Sequence, residues 1–340
     1  MRSWQLTALA ITMGFSSLAS ASTAVTPEPR IIGGGYEPIG NVPWQVFIQS
    51  NSGLGDYVCG GVVISEQYVL TAAHCMDKDL VDGDGNVVPY LPSEVTVYSG
   101  VEDLSNLAGN EISVSEITIH PNYNDFSLVF DIAVIRLAGN LPSSAQPVVI
   151  LPPSDETQLE SEFSLATPNN LFVGGWGRFS NSSNSISRYY KSTVLTGEPD
   201  SQCSIINLTD SSDYLCATSN EVTGSCNGDS GGGLIWRDPS HASDSDMGYR
   251  VVGVVSWGSN TCGIPGDEDV FAQVTSYYSW IDTQVGGYTP PNSTFTVDIF
   301  DTSDSYDPTP TSPAPSGGGG SFAWLSLLSL GLLTFRRRLS

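Results

Sequence analysis

Three polar residues stand in settings that suit acyl transfer. His74 lies in Thr71-Ala72-Ala73-His74-Cys75. Asp131 heads the apolar run Asp131-Ile132-Ala133-Val134-Ile135-Arg136-Leu137, and Ser230 sits in Gly228-Asp229-Ser230-Gly231-Gly232. Attack on a peptide carbonyl by serine needs a base to take the hydroxyl proton and a carboxylate to hold that base in the right tautomer. Glycines around Ser230 let the backbone approach a scissile carbonyl without a neighbouring Cβ in the way. An imidazole titrates close to working pH, which suits His74 to take a proton and return it. A carboxylate at the head of so apolar a run is costly to bury unless hydrogen-bonded, and an imidazole N–H is its natural partner. The chain has 3 histidines, and His120 and His241 read as structural.

The elements that must position these groups read as strands. Runs such as Gly61-Val62-Val63-Ile64, Glu94-Val95-Thr96-Val97-Tyr98 and Val251-Val252-Gly253-Val254-Val255 are short, rich in β-branched and aromatic residues, and separated by Gly, Pro, Asn and Asp. This texture predicts an all-β protein of two barrels, about residues 31–151 and 152–285, joined near Pro152-Pro153. One helix is expected, around Tyr277-Tyr278-Ser279-Trp280-Ile281-Asp282.

A chain of 340 residues with 40% hydrophobic content can bury two such cores. Its formal charge of -24 opposes binding to nucleic acid and favours cationic substrates. Residues 1–21, with Arg2, an apolar stretch and Ala19-Ser20-Ala21, read as a secretory signal peptide. Export permits disulfides, and 6 cysteines is an even number whose pairing the spacing alone leaves open. Residues 286–320 turn to Pro, Thr, Ser, Asp and Gly and read as a disordered linker. Residues 321–335 are apolar and precede Arg336-Arg337-Arg338; at ~1.5 Å per residue they reach about 22 Å, short of a membrane core, with arginine snorkelling to make up part of the deficit. Asp82-Gly83-Asp84-Gly85-Asn86 alternates oxygen ligands, but it lacks the later glycine and glutamate of a calcium loop and reads as a solvated acidic turn; no metal or other cofactor is expected.

Taken in order, these motifs resemble the chymotrypsin/trypsin family of serine endopeptidases over about residues 31–285. Val42-Pro43-Trp44-Gln45-Val46, Cys59-Gly60-Gly61, His120-Pro121-Asn122-Tyr123-Asn124, Gly175-Trp176-Gly177 and Ser256-Trp257-Gly258 agree as well. The resemblance implies two six-stranded Greek-key barrels with a carboxyl-terminal helix and the active site in the cleft between them. It assigns His74, Asp131 and Ser230 as the catalytic triad, Ser256 as a support for Asp131, and the backbone N–H groups of Gly228 and Ser230 as the oxyanion hole. It pairs Cys59 with Cys75, Cys203 with Cys216, and Cys226 with Cys262. Arg30-Ile31 resembles the activation bond, so that residues 22–30 form a propeptide whose removal, by another protease or by the enzyme itself, frees the Ile31 ammonium to pair with Asp229.

The same resemblance builds the specificity pocket from Gly224, Ser225, Gly258 and Asp269. Gly224 stands where trypsin-like members carry aspartate, while Asp269 stands on the opposite wall, where it can serve Arg or Lys. An uncharged, elastase- or chymotrypsin-like pocket is the alternative if Asp269 turns outward. Protein or peptide substrates of a monomeric enzyme are implied. The tail resembles the bacterial Gly-Gly sorting signal that an intramembrane protease removes; a permanent anchor and a GPI signal are the other readings, and the protein is expected to be secreted or held at the cell surface. A non-catalytic homologue serving as a binding module is the contrasting reading, and the complete triad argues against it.

Overall fold

The computed structural model describes residues 31–51, 56–83, 86–203, 213–303 and 306–308. Arg30, the signal and propeptide segments, and the apolar segment 321–335 lie outside the described residues. Among the described residues no helix is long and apolar enough to cross a membrane.

The chain opens with β1 (Gly35–Tyr36), β2 (Gln45–Asn51), β3 (Asp56–Ser65), β4 (Tyr68–Thr71), β5 (Asp77–Val81), β6 (Val87–Pro89), β7 (Val95–Ser99), β8 (Glu111–Ile119) and β9 (Ala133–Leu137). It continues with β10 (Val149–Ile150), α1 (Glu156–Ser164), β11 (Leu171–Gly175), β12 (Lys191–Glu198), β13 (Tyr214–Thr218), β14 (Gly233–Arg237), β15 (Tyr249–Gly258), β16 (Glu268–Gln273) and α2 (Val274–Gln284). Strands β2-β3-β4-β9-β8-β7 close into the first barrel. Strands β12-β11-β14-β15-β16-β13 form the second, closed by pairing of β13 with β12. The expected pair of six-stranded antiparallel barrels with a carboxyl-terminal helix is therefore present. Closure removes the edge strands of each barrel, where other chains could otherwise pair.

Alternation of burial along the strands explains the register. In β8, Ile112 and Val114 face inward while Glu111, Ser113 and Ser115 face water. In β9 four of five residues are buried and Arg136 alone points out. Val46, Ile48, Val62, Ile64, Val97 and Ile135 fill the first barrel, and Leu171, Val173, Leu195, Leu234, Trp236 and Phe271 the second.

Three features depart from the sequence reading. The chain crosses between barrels earlier than Pro152-Pro153: β9 ends the first barrel at Leu137, and β10 already pairs, in parallel, with β15 of the second. Helix α1 was not anticipated; its Leu159 and Phe163, one turn apart, enter the second barrel's core. A Cβ at Gly197 would lie 2.0 Å from the Phe163 ring, so glycine in β12 is what lets the helix dock.

The third departure is the larger one. Residues 286–303, read as a disordered linker, run back across both barrels as an ordered strap. Phe295 and Ile299 are buried. The Phe295 ring lies 4.8 Å from Trp44 of the first barrel and 5.8 Å from Tyr249 of the second. The Ser293 hydroxyl donates to the Pro147 carbonyl at 2.6 Å, the Tyr249 hydroxyl donates to the Val297 carbonyl at 2.8 Å, and Arg237 pairs with Asp298. Burial of Phe295 and Ile299, with these hydrogen bonds and the Arg237–Asp298 pair, opposes the ordering entropy that the polar composition suggested would prevail. Phe295→Ala is expected to lower unfolding stability by about 3 kcal/mol, whereas Phe126→Ala, at a side chain 96% exposed, should stay within ~0.5 kcal/mol; denaturant titration of the two variants checks both.

Candidate active site

Register brings His74 and Asp131 together. Thr71 of β4 pairs with Ala133 of β9; three residues onward along one strand and two residues back along its antiparallel partner lead to the same end of the barrel. There the Asp131 carboxylate, fully buried, accepts the His74 backbone N–H at 2.9 Å and meets the His74 Nδ1 at 2.7 Å. A third donor comes from the other barrel: the Ser256 hydroxyl of β15 donates to Asp131 Oδ2 at 2.5 Å. The disulfide between Cys59 and Cys75 ties the turn carrying His74 to β3.

Ser230 is delivered by the turn before β14 and held against the first barrel. The Gly60 N–H of β3 donates to the Ser230 carbonyl at 2.7 Å. Gly231, at φ +82°, comes so close to β3 and β4 that a Cβ there would lie 2.2 Å from the Thr71 hydroxyl and 2.5 Å from the Gly60 carbonyl. That approach, together with the left-handed backbone, accounts for the glycine after the serine. The backbone N–H groups of Gly228 and Ser230 have no acceptor among the described residues. Gly228 has φ +100°, which only glycine adopts readily.

His74 and Ser230 line one cleft of about 450 Å³ with Tyr57, Leu128, Arg178 and Trp257. Among the described residues no hydrogen bond joins His74 to Ser230; such contacts in ligand-free sites commonly tighten only around substrate. Trp257 stands in the Ser256-Trp257-Gly258 motif without a role assigned to it, and the other three flanking residues were not singled out from the sequence. Tyr57 and Arg178 sit two residues from Cys59 and next to Gly177, so proximity to recognised motifs was the available signal; Leu128, at φ +54° in the loop before Asp131, had none.

The remaining predicted residues gather in two neighbouring places. Asp269 of β16 lines the same cleft, where its Oδ2 accepts the Ser225 N–H at 2.7 Å. A Cβ on Gly224 would lie 3.0 Å from one Asp269 oxygen and a Cβ on Gly258 3.1 Å from the other. The carboxylate is thus set between the two glycines. The disulfide between Cys226 and Cys262 joins the walls, and the Asn181 side chain holds both the N–H and carbonyl of Cys262. Cys203 and Cys216 form the third bridge.

Behind this pocket lies Asp229, fully buried, accepting the N–H groups of Gly177 at 2.7 Å and Cys226 at 3.0 Å. A Cβ on Gly175 or Gly177 would collide with its carboxylate at 2.2 and 2.3 Å, which explains the Gly-Trp-Gly motif. Ile31 is buried, and Ile32 forms a β-bridge with Gly224, so the segment that follows Arg30 is seated beside the pocket. His120 and His241 lie elsewhere: His120 stacks on Phe130 and packs against Trp280, and His241 Nδ1 meets Asp238 at 2.6 Å. The Asp82 turn closes on itself, with the Asn86 N–H donating to Asp82 Oδ1 at 2.9 Å.

Burial tends to lower the basicity of His74, but the charge and hydrogen bond of Asp131 outweigh it and leave the imidazole above its usual value. Burial tends to raise Asp131, yet His74 and the Ser256 hydroxyl hold it below the usual carboxylate range. Burial pushes Asp229 up to about 7, with the charge of Asp269 adding to the rise. Burial also lifts Asp269 to about 6, against the lowering effect of Ser225.

A serine, imidazole and buried carboxylate opening on a cleft between two β-barrels define a serine endopeptidase. The trypsin family model matches residues 31–281, and the chain belongs to that family. It is 32% identical over 263 residues to serine protease SP24D of Anopheles gambiae, spanning 76% of this chain and 82% of the relative. It is 30% identical over 276 residues to chymotrypsin-like elastase family member 1 of Bos taurus, spanning 78% and 93%, and 27% identical over 269 residues to phenoloxidase-activating enzyme 1 of Spodoptera litura, spanning 76% and 68%.

NMR titration of His74 should give a midpoint above ~6.5, the ordinary histidine value. Because the folded-state value is raised, the pair's contribution to stability is complete below the unfolded-state value and is lost as pH rises through the folded one. Asp131→Asn is expected to move the midpoint downward; an unchanged midpoint contradicts the assigned contact.

Proposed function

We propose that this endopeptidase cleaves peptide bonds after Arg or Lys through an acyl-enzyme, with Ser230 as nucleophile, His74 as the proton carrier and Asp131 as the group that orients it. The observation that carries the specificity is the Asp269 carboxylate, set between Gly224 and Gly258 in the cleft that Ser230 and His74 also line. A guanidinium or ammonium entering that cleft meets a counter-charge within hydrogen-bonding reach. Names among the relatives do not decide the pocket, since they include both an elastase and an activating enzyme.

In the proposed cycle, His74 Nε2 takes the Ser230 proton as the hydroxyl oxygen attacks the scissile carbonyl. The N–H groups of Gly228 and Ser230 meet the resulting oxyanion, and removing a donor of this kind costs about 100- to 1,000-fold in turnover. The imidazolium, stabilised by Asp131, then protonates the leaving amine. Water attacks the ester by the same route and restores Ser230.

Activation fits the surroundings of Asp229. A buried carboxylate at about 7 with two N–H partners gains far more from an ammonium, and cleavage after Arg30 would free one at Ile31. In this reading the enzyme is exported as a zymogen by residues 1–21, and the apolar stretch 321–335 attaches it, transiently or lastingly, to the membrane.

Fluorophosphonate labelling should modify the mature enzyme and be abolished in Ser230→Ala; labelling that persists in the variant removes Ser230 from the nucleophile's role. Asp269→Ala should cut kcat/KM for Arg amide substrates by at least about 10-fold, the loss of roughly one charge-assisted hydrogen bond, while leaving Phe substrates little changed. The same preference should fade as pH falls through about 6, because the neutral carboxyl offers a cation no counter-charge; a preference for Arg over Phe that is constant between pH 5 and 8 contradicts the pocket assignment. Amino-terminal sequencing of active enzyme should begin at Ile31.

A further inference from the structure

The strap does more than fill a seam between barrels, because its far end reaches the strand that follows the proposed activation segment. Residues 31–34 lead directly into β1, which pairs with β12 of the second barrel through Gly35 with Ser192 and Tyr36 with Lys191. On its other side Tyr36 forms an isolated antiparallel bridge with Tyr306. The Tyr306 hydroxyl donates to Glu102 Oε1 at 2.6 Å. Glu102 lies just after β7 of the first barrel, and its other oxygen accepts the Ile39 N–H at 3.3 Å. Strand β1 is thus flanked by β12 on one side and by the end of the strap on the other.

Upstream, the strap is anchored where the barrels meet. Phe295 is wedged between Trp44 and Tyr249, and the Thr294 N–H donates to the Gln146 side chain of the inter-barrel crossing at 3.1 Å. Ile299 donates its N–H to the Tyr249 hydroxyl at 3.2 Å. The strap is thus fixed at Phe295 where the barrels meet, and the chain is fixed again at Tyr306 against β1 and Glu102.

We propose that residues 288–303 and Tyr306 act as a latch for the active conformation, with Tyr306 a positioning residue that holds β1 and so keeps the inserted residues 31–34 beside the pocket. The proposal rests on the reading that maturation begins the chain at Ile31 and seats that end against Asp229. A free amino terminus that leaves its seat becomes exposed to solvent, and each bond that pins β1 lowers the fraction of time it does so. The latch acts on that fraction; it touches neither substrate nor the reacting atoms.

The test measures how often the end escapes. Mature full-chain enzyme is treated with cyanate, and carbamylation of the Ile31 amine is followed by mass spectrometry of its peptide alongside residual activity. Tyr306→Ala should raise the carbamylation rate about 3- to 10-fold, as expected for losing one hydrogen bond to a carboxylate together with the burial of a ring that is 38% exposed. Tyr306→Phe, which removes only the hydroxyl, should fall between that variant and the wild type. Activity should decline in step with modification while kcat of the unmodified enzyme is unchanged. Phe295→Ala should behave like Tyr306→Ala if it folds, and the Tyr306 variants decide the matter if it does not. Equal rates in wild type and Tyr306→Ala overturn the latch alone. A mature enzyme whose amino terminus is not Ile31 overturns the activation reading, and the latch with it.

Discussion

One buried carboxylate organises the active centre. Asp131 takes two donors from His74 and one from Ser256, and these partners come from both barrels. An ionised carboxylate without such partners would be far too costly to place where no water reaches it. Its solvation therefore depends on the barrels being correctly docked, and the orientation of His74 depends on the carboxylate. The pairing of β4 with β9 sets the first two residues at one end of a barrel, while β15 contributes the third from across the cleft. Catalytic geometry and the packing of the two halves are in this sense a single constraint.

A second constraint is the absence of side chains at selected points. Gly175 and Gly177 leave the space that Asp229 occupies, and Gly231 lets the turn of Ser230 rest on β3 and β4. Gly224 and Gly258 do the same around Asp269. At Gly175 and Gly177 contact distance excludes a side chain, at Gly231 the left-handed backbone adds to it, and at Gly224 and Gly258 a Cβ would press on Asp269 at 3.0 and 3.1 Å. The three disulfides act locally, joining residues 16, 13 and 36 apart in sequence, and they fix loops around a framework that strand pairing already defines.

The residues that meet at the cleft, and the two barrels, were more legible in the sequence than the details of the elements around them. His74, Asp131 and Ser230 stand in short motifs whose residue types suggest the roles proposed for them, and the strand texture led to two barrels. The bounds of those barrels were less clear, because β10 is two residues long and carries no periodic signal of its own. Helix α1 escaped notice because nine residues with Leu159 and Phe163 as their only core contacts look like polar loop. The strap was misread for a related reason: Pro, Thr, Ser and Asp dominate its composition, and average composition says nothing about where two aromatic and aliphatic anchors land. Phe295 and Ile299 four residues apart, with Tyr288 and Phe300 nearby, were the available clue. Their value depends on Trp44 and Tyr249, which only the folded barrels bring together.

The charge of Asp269 makes proton release from Asp229 harder, so the two acidic groups communicate through the protein between them. A cationic side chain bound at Asp269, as proposed, would offset that repulsion and ease ionisation of Asp229. Reciprocity would then make the ionised form of Asp229 favour the cationic side chain by the same factor. Occupancy of the pocket and protonation of Asp229 would therefore be linked through two like charges on either side of its wall.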